Sequence, residues 1–453
     1  MILFLSHIRR ACLLSFSLAV CSALAAEDVT TGGGKLDIEP VWTGHPVGFC
    51  LLTHAPHQFV AYYDAQRRMS VAQRTLSSTN WTITKLPSQL GWDSHNYVTM
   101  ALDRDGFLHV SGNMHCVPLV YFRSAKPFDA ASLQKLPMTG DREQRVTYPV
   151  FLRDKAGRLV FRYRDGRSGS GDDLYNVYDE KTRAWKRLLA TPLMSGLGKM
   201  NAYASVPRLG PDGRFHVVWV WRNSGDCASN HDISYARSDD LVTWTDSAGK
   251  PVQLPITLRT GEIVDPVPPR GGLINVNREL GFDNAKRPVI TYHKYDANGD
   301  LQIYAARREA IGWKIVQVSD WKGYRWDFSG GGTIIGEVHI GAVEPVGEGK
   351  LTLVYRYGHG AGTWVLDEAT LKPIPGAKPS VRREPGPPSL GKLTSDFPGM
   401  QRKNAGDLGT PPAGQRFMLT WETLPANRDR PRTGPLPEPV MLRLISWAES
   451  QPK

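Results

Sequence analysis

The feature that most constrains this chain is a repeat. One unit recurs along it: an apolar strand, a turn carrying Gly or a charged pair, a second apolar strand, then an aromatic-rich strand. Examples are residues 51–64, 98–113, 148–164, 205–222, 280–295, 339–357 and a last pair around 415–423. The hairpin turns fall near His57, Gly106, Gly157, Gly213, Lys286, Gly349 and Gly414. Successive turns are separated by between 49 residues (106 − 57) and 73 residues (286 − 213). Such units bury their apolar faces only by stacking on one another. The predicted fold is therefore all-β, a seven-bladed β-propeller of four-stranded antiparallel blades. The 44 Gly and 33 Pro among 13 Trp, 16 Tyr and 14 Phe agree, since they suit short strands and tight turns.

No helical period of useful length interrupts the pattern. A strand near 36–42 is expected to pair with the carboxyl-terminal strand 440–447, which would hide two sheet edges. Residues 373–412 hold nine Pro and read as a long loop or lid before the last blade. Residues 27–453 are read as a single propeller domain.

Residues 1–26 have the pattern of a secretory signal peptide: Arg9 and Arg10, an apolar run, then small residues before Glu27 and Asp28. Val20 is a poor residue before Cys21, so a lipoprotein anchor is not expected. No later segment is apolar enough to span a membrane as a helix. Removing the leader takes the net charge from +11 to +9 (11 − 2). A basic protein that is secreted or periplasmic fits an acidic polysaccharide better than nucleic acid. Cys50, Cys116 and Cys227 remain, too few for a disulfide scaffold. A monomer is expected.

Propellers carry function where strands end in loops. Asp93-Ser94-His95-Asn96-Tyr97 enters one hairpin and Ser111-Gly112-Asn113-Met114-His115 leaves it, so His95 and His115 should share a surface. Arg145-Val146-Thr147-Tyr148 and Arg162-Tyr163-Arg164-Asp165-Gly166-Arg167 bracket the next hairpin likewise, and Asn201-Ala202-Tyr203 opens a third. Two His, two Tyr and an Arg would converge without a carboxylate pair. A glycosidase of the usual kind needs such a pair. The set suits β-elimination beside a uronate instead. Arg and a protonated His would neutralise the carboxylate, a neutral His or a Tyr would take the C5 proton, and a Tyr or His would protonate the departing O4. His95, Tyr148, Arg164 and His115 are the candidate catalytic residues. Asn96, Asn113, Arg162 and Tyr203 are the candidate substrate-binding residues. No cofactor is expected for catalysis.

The chain resembles the BNR-repeat-containing seven-bladed propeller family that includes ulvan lyases and rhamnosyl-glucuronate lyases. The similarity runs from Gly44-His45-Pro46-Val47-Gly48-Phe49 to about Tyr357. It is densest in His95-Asn96-Tyr97, Gly112-Asn113-Met114-His115, Pro118-Leu119-Val120-Tyr121-Phe122-Arg123, Arg162-Tyr163-Arg164-Asp165-Gly166 and Asn230-His231-Asp232. The resemblance implies His95 as base, Tyr148 as acid and Arg164 as carboxylate neutraliser, with His115 and Tyr203 assisting. It leaves open whether His95 or Tyr148 takes the proton.

Two other readings compete. A related branch hydrolyses rhamnose from glucuronate with a His on the opposite face, for which His45, His54 and His57 are the candidates. A non-catalytic propeller binding acidic glycans is the third. Separately, Cys227 and His231 with His216 have residue types that suit a structural zinc site, and His293 could add a fourth ligand. The resemblance implies such a metal in some relatives. A buried thiol beside hydrogen-bonded His is the plainer alternative. Residues 238–244 resemble the Asp-box turn of sialidases, but Leu241 occupies its Gly position and no Arg triad accompanies it.

Overall fold

The computed structural model describes residues 34–379 and 386–449. The leader expected over 1–26 lies outside them. Among the described residues there is no α-helix, and no helix long and apolar enough to cross a membrane. Strands form seven antiparallel sheets. The first joins Cys50–His54, His57–Tyr63, Arg68–Thr75 and Thr82–Gln89, and the second begins at Val98–Leu102. The third and fourth carry six strands each, the sixth only three, and the remaining sheets four, so the uniform four-stranded expectation holds for four of the seven. The extra strands are short pieces such as Met194–Ser195 and Arg208–Leu209, which pair where a long strand outlasts its neighbour.

The expected pairing of the two terminal strands is present. Gly34–Val41 pairs with Val440–Ala448, Leu36 facing Leu444, in a sheet completed by Gln415–Thr423 and Gln401–Gly406. Gln401–Gly406 corrects the sequence reading, because this part of the Pro-rich stretch is a strand and not a loop. It lies in the Pro-free interval between Pro398 and Pro411, and its backbone pairs in full with Gln415–Thr423. This strand leads into two parallel bridges to the first sheet, Leu51 to Asp407 and His54 to Thr410.

Burial explains why the middle strands are so apolar. Phe215–Arg222 (FHVVWVWR) is buried at every position, whereas the outer strand Ala184–Arg187 buries only Trp185. A strand covered on both faces by neighbouring sheets has no polar face to keep. The apolar clusters lie between consecutive sheets. Tyr121 packs with Phe161 and Trp185, Tyr175 with Trp219, Tyr235 with Tyr292, and Ile303 with Leu351. The hairpin turns are tight: Gly106 adopts φ 84°, and a Cβ there would come within 2.5 Å of the Phe128 ring. Asp103 secures that turn by accepting from the Asp105 and Phe107 amides.

Candidate active site

His95 sits in a short 3-10 turn, Ser94–Asn96, capped by Asp93, whose Oδ1 accepts from the His95 amide at 2.9 Å. The same carboxylate holds both imidazoles. Asp93 Oδ1 lies 2.6 Å from His95 Nδ1, and Oδ2 lies 2.5 Å from His115 Nδ1. The two rings stack with centroids 4.2 Å apart. A carboxylate accepting at both Nδ1 atoms fixes the Nδ1–H tautomer when the rings are neutral, and leaves each Nε2 lone pair free. Neither Nε2 has a protein partner among the described residues. Burial alone would raise the Asp93 carboxyl, but the hydrogen bonds from His115 and His95 outweigh it and hold the group well below the usual carboxylate range.

Tyr148 stands beside this pair, its ring 5.6 Å from that of His95. Its position depends on an irregularity in Val146–Arg153, where the register slips between Thr147 and Val150 and Tyr148 takes φ 60°. Such a bulge re-aims a side chain that regular pleating would point elsewhere. The Tyr148 hydroxyl makes no hydrogen bond to the described residues. Burial pushes it above its ordinary pKa, Tyr203 adds to this, and Arg164 and Arg222 oppose it. The hydroxyl therefore keeps its proton at neutral pH.

Behind Tyr148 lies Arg164, only 3% exposed. Its guanidinium carbon is 4.9 Å from the Tyr148 ring and 5.9 Å from that of Tyr203. Its terminal nitrogens donate to Thr147 Oγ1 (3.1 Å), Cys116 Sγ (3.4 Å) and Tyr203 Oη (3.4 Å), while Nε is buried without a partner. Tyr203 also bonds Ser168. The structure thus gathers His95, His115, Tyr148, Arg164 and Tyr203, as the hairpin argument expects.

Other expected residues are placed differently. Asn96 remains in the turn with its Oδ1 buried and unpartnered. Asn113 turns away, donating to Ser88 Oγ (2.8 Å) and Gln89 O (2.9 Å), because its φ of 61° swings the side chain towards the first sheet. Arg162 is committed to Asp173 at 2.5 Å. The four proposed zinc ligands do not form one site. His216 bonds Asp212 and Tyr235 near the start of Phe215–Arg222, whereas His231 pairs with Trp221 near its end. Five residues of strand separate those ends by about 17 Å. His293 is held by Gly272 O and Asn277. Among the described residues, the grouping of metal-ligating types whose ligand atoms lie within 4.8 Å of one another is Asp93, His95 and His115.

His45 is 2% exposed and does not form a separate site on an opposite face. Its Nε2 lies 3.2 Å from Asp429, a residue the sequence reading missed. Asp429 also accepts from Ser94 N (3.0 Å), Ser94 Oγ (2.9 Å) and Thr333 N (2.6 Å), and its Oδ2 is 3.5 Å from His95 Nδ1. His54 and His57 instead both stack against Phe128, with ring centroids 5.5 and 4.8 Å away. Asp93 was missed too, although an Asp two positions before His95 is a common cap of a short turn. Asp429, 334 positions from His95 (429 − 95), carried no local signal. Arg222 was also missed; its guanidinium covers Tyr203 at 5.1 Å and donates to Ser224 O and Asp226 O.

Antiparallel sheets packed face to face, with a His/Tyr/Arg cluster where their strands end, define a propeller-like all-β protein with a polar site at its loops. The chain belongs to the BNR repeat-containing family, whose sequence profile matches residues 57–321, more than half its length. No curated protein matches it. Among solved structures, it is similar to the polysaccharide lyase Uly1 at 14% identity, covering 93% of this chain and 98% of that one, with a TM-score of 0.57. It is also similar to a PL25 ulvan lyase at 14% identity (89% and 94% covered, TM-score 0.58). The same holds for a PL25 ulvan lyase bound to -[GlcA(1-4)Rha3S]- at 13% identity (89% and 94% covered, TM-score 0.58). At such identities the likeness establishes the fold.

Proposed function

We propose that the protein is a secreted, seven-bladed polysaccharide lyase that cleaves beside a uronate by β-elimination. One observation carries this reading: two imidazoles with free Nε2 atoms, anchored on Asp93, stand beside a protonated Tyr148 that is backed by a buried guanidinium. The proton on C5 passes to Nε2 of His95, with His115 as its stacked neighbour. The electrons of the C5–H bond form the C4–C5 double bond as the C4–O4 bond breaks, and Tyr148 Oη delivers a proton to O4. Arg164 and the adjacent charge of Arg222 stabilise the tyrosinate left behind, which solvent reprotonates. This assigns base to His and acid to Tyr148, because the tyrosine sits above its ordinary pKa while the imidazoles hold a free lone pair. The fold shared with ulvan lyases, one of them bound to a glucuronate–rhamnose sulfate unit, supports a uronate-containing substrate.

Purified protein incubated with a panel of uronate polysaccharides should generate the ultraviolet absorbance of an unsaturated uronate, and His95→Ala should abolish it. Saturable binding without absorbance on every substrate would leave the glycan-binding alternative.

A further inference from the structure

On one side His95 and His115 are alike: each donates from Nδ1 to one oxygen of Asp93, at 2.6 and 2.5 Å. On the other side they differ. His95 Nδ1 also lies 3.5 Å from Asp429 Oδ2, whereas among the described residues His115 pairs with Asp93 alone. Asp429 is fixed firmly for a residue of a long loop. Its Oδ1 accepts from Ser94 N, Ser94 Oγ and His45 Nε2, and its Oδ2 from Thr333 N. Arg428 and Asp429 both hold a left-handed backbone, with φ of 54° and 56°. Side chains seldom adopt that conformation, and it persists where the surroundings impose it, often beside a functional site. The His45 side chain is wholly enclosed and its Nδ1 has no partner, so its hydrogen-bonding proton belongs on Nε2, facing Asp429. A ring so enclosed cannot reach a substrate. It holds the carboxylate.

We propose that Asp429 is a positioning residue that makes His95, and not its stacked neighbour His115, the base. This rests on the lyase reading and deepens it. When Nε2 of His95 accepts the C5 proton, Nδ1 keeps its own, and the ring becomes a cation facing two carboxylates. The same proton on His115 would face Asp93 only. An opposite charge within about 4–6 Å favours the charged form of a group, and more so in a partly enclosed site than in open water. The groups facing His95 are Asp93 from its own turn, His115 at the exit of the hairpin, Tyr148 from the third sheet with Arg164 behind it, and Asp429 from the loop between Gln415–Thr423 and Val440–Ala448. Asp93 is shared equally by the two rings, and Tyr148 keeps its proton. The difference between the imidazoles therefore comes from Asp429.

The test compares the full-length wild type with Asp429→Asn, which keeps the shape and removes the charge. Histidine ring resonances are followed without substrate from about pH 8 to about pH 4, the range in which imidazoles titrate. In wild type the first proton taken up by the stacked pair should reside on His95, and in Asp429→Asn it should be spread over both rings. In steady state Asp429→Asn should lower kcat roughly tenfold at nearly unchanged KM. The acid limb of kcat/KM should also move to lower pH, because withdrawing an anion disfavours the protonated imidazole. A limb that stays in place while kcat falls would mean that Asp429 only supports the fold, and would overturn the proposal. Equal protonation of the two rings in wild type would overturn it as well. If Asp429→Asn does not fold, the wild-type titration decides alone. The ring titration needs no turnover, so a protein in which His95 takes the first proton but which cleaves nothing counts against the lyase reading alone.

Discussion

Arg164 lies beneath Tyr148, its guanidinium carbon 4.9 Å from the ring centroid, and it is almost wholly enclosed by Tyr203, Thr147 and Cys116. A cation in that position stabilises negative charge on the phenol without touching a substrate. Arg164→Gln should therefore lower kcat by roughly 10²-fold with little change in KM, the magnitude typical of losing one fixed electrostatic stabiliser. Steady-state kinetics separate the two. A rise in KM at unchanged kcat would mean that Arg164 binds the ground-state substrate.

Asp93 organises both imidazoles. Asp93→Asn retains the shape but can no longer accept at both Nδ1 positions, so the tautomers are released. Elimination should fall by roughly 10²-fold or more, the scale on which a positioned proton-transfer group contributes. Histidine ring resonances in Asp93→Asn should show a mixture of tautomers where wild type shows one.

Acid stability follows from the same carboxylate. Asp93 and Asp429 are both held well below the usual range in the folded protein, where hydrogen bonds from the histidines and, for Asp429, from the Ser94 amide outweigh burial. A carboxyl depressed on folding contributes stability that is full above its unfolded pKa of about 3.9. That contribution is lost as pH falls towards the folded value. Thermal melts from pH 5 downwards should show wild type losing Tm more steeply than Asp93→Asn. Parallel slopes would contradict the assignment.

Asp429 ties three distant segments, those of His45, Ser94 and Thr333. Asp429→Ala leaves buried donors unpaired and should cost about 1–3 kcal/mol in urea unfolding. It should also speed amide exchange in residues 93–97, where the turn carrying His95 loses its outer anchor.

Because His216 and His231 lie towards opposite ends of one strand, a chelator should leave Tm unchanged. A drop on adding chelator, restored by zinc, would show that a metal site forms from other residues.

Much of this was legible from periodicity. Alternating apolar strands and Gly turns locate the hairpins, and hairpin geometry brings His95 to His115 and Tyr148 to Arg164, because the two ends of a hairpin must meet. Long-range contacts were not legible. Asp429 reaches His45 and Ser94 from a loop with no motif. Asn113 was misread because its left-handed backbone, which decides where the side chain points, leaves no mark in residue type. The zinc reading failed for a related reason: residue types matched, but strand rise kept His216 from His231.

Cleavage of a uronate polysaccharide in heavy-oxygen water tests the central claim most directly. Elimination breaks the C4–O4 bond without consuming water, so mass spectrometry should find unsaturated products carrying no solvent oxygen. Saturated products with one heavy oxygen at each new reducing end would identify a hydrolase and contradict the account.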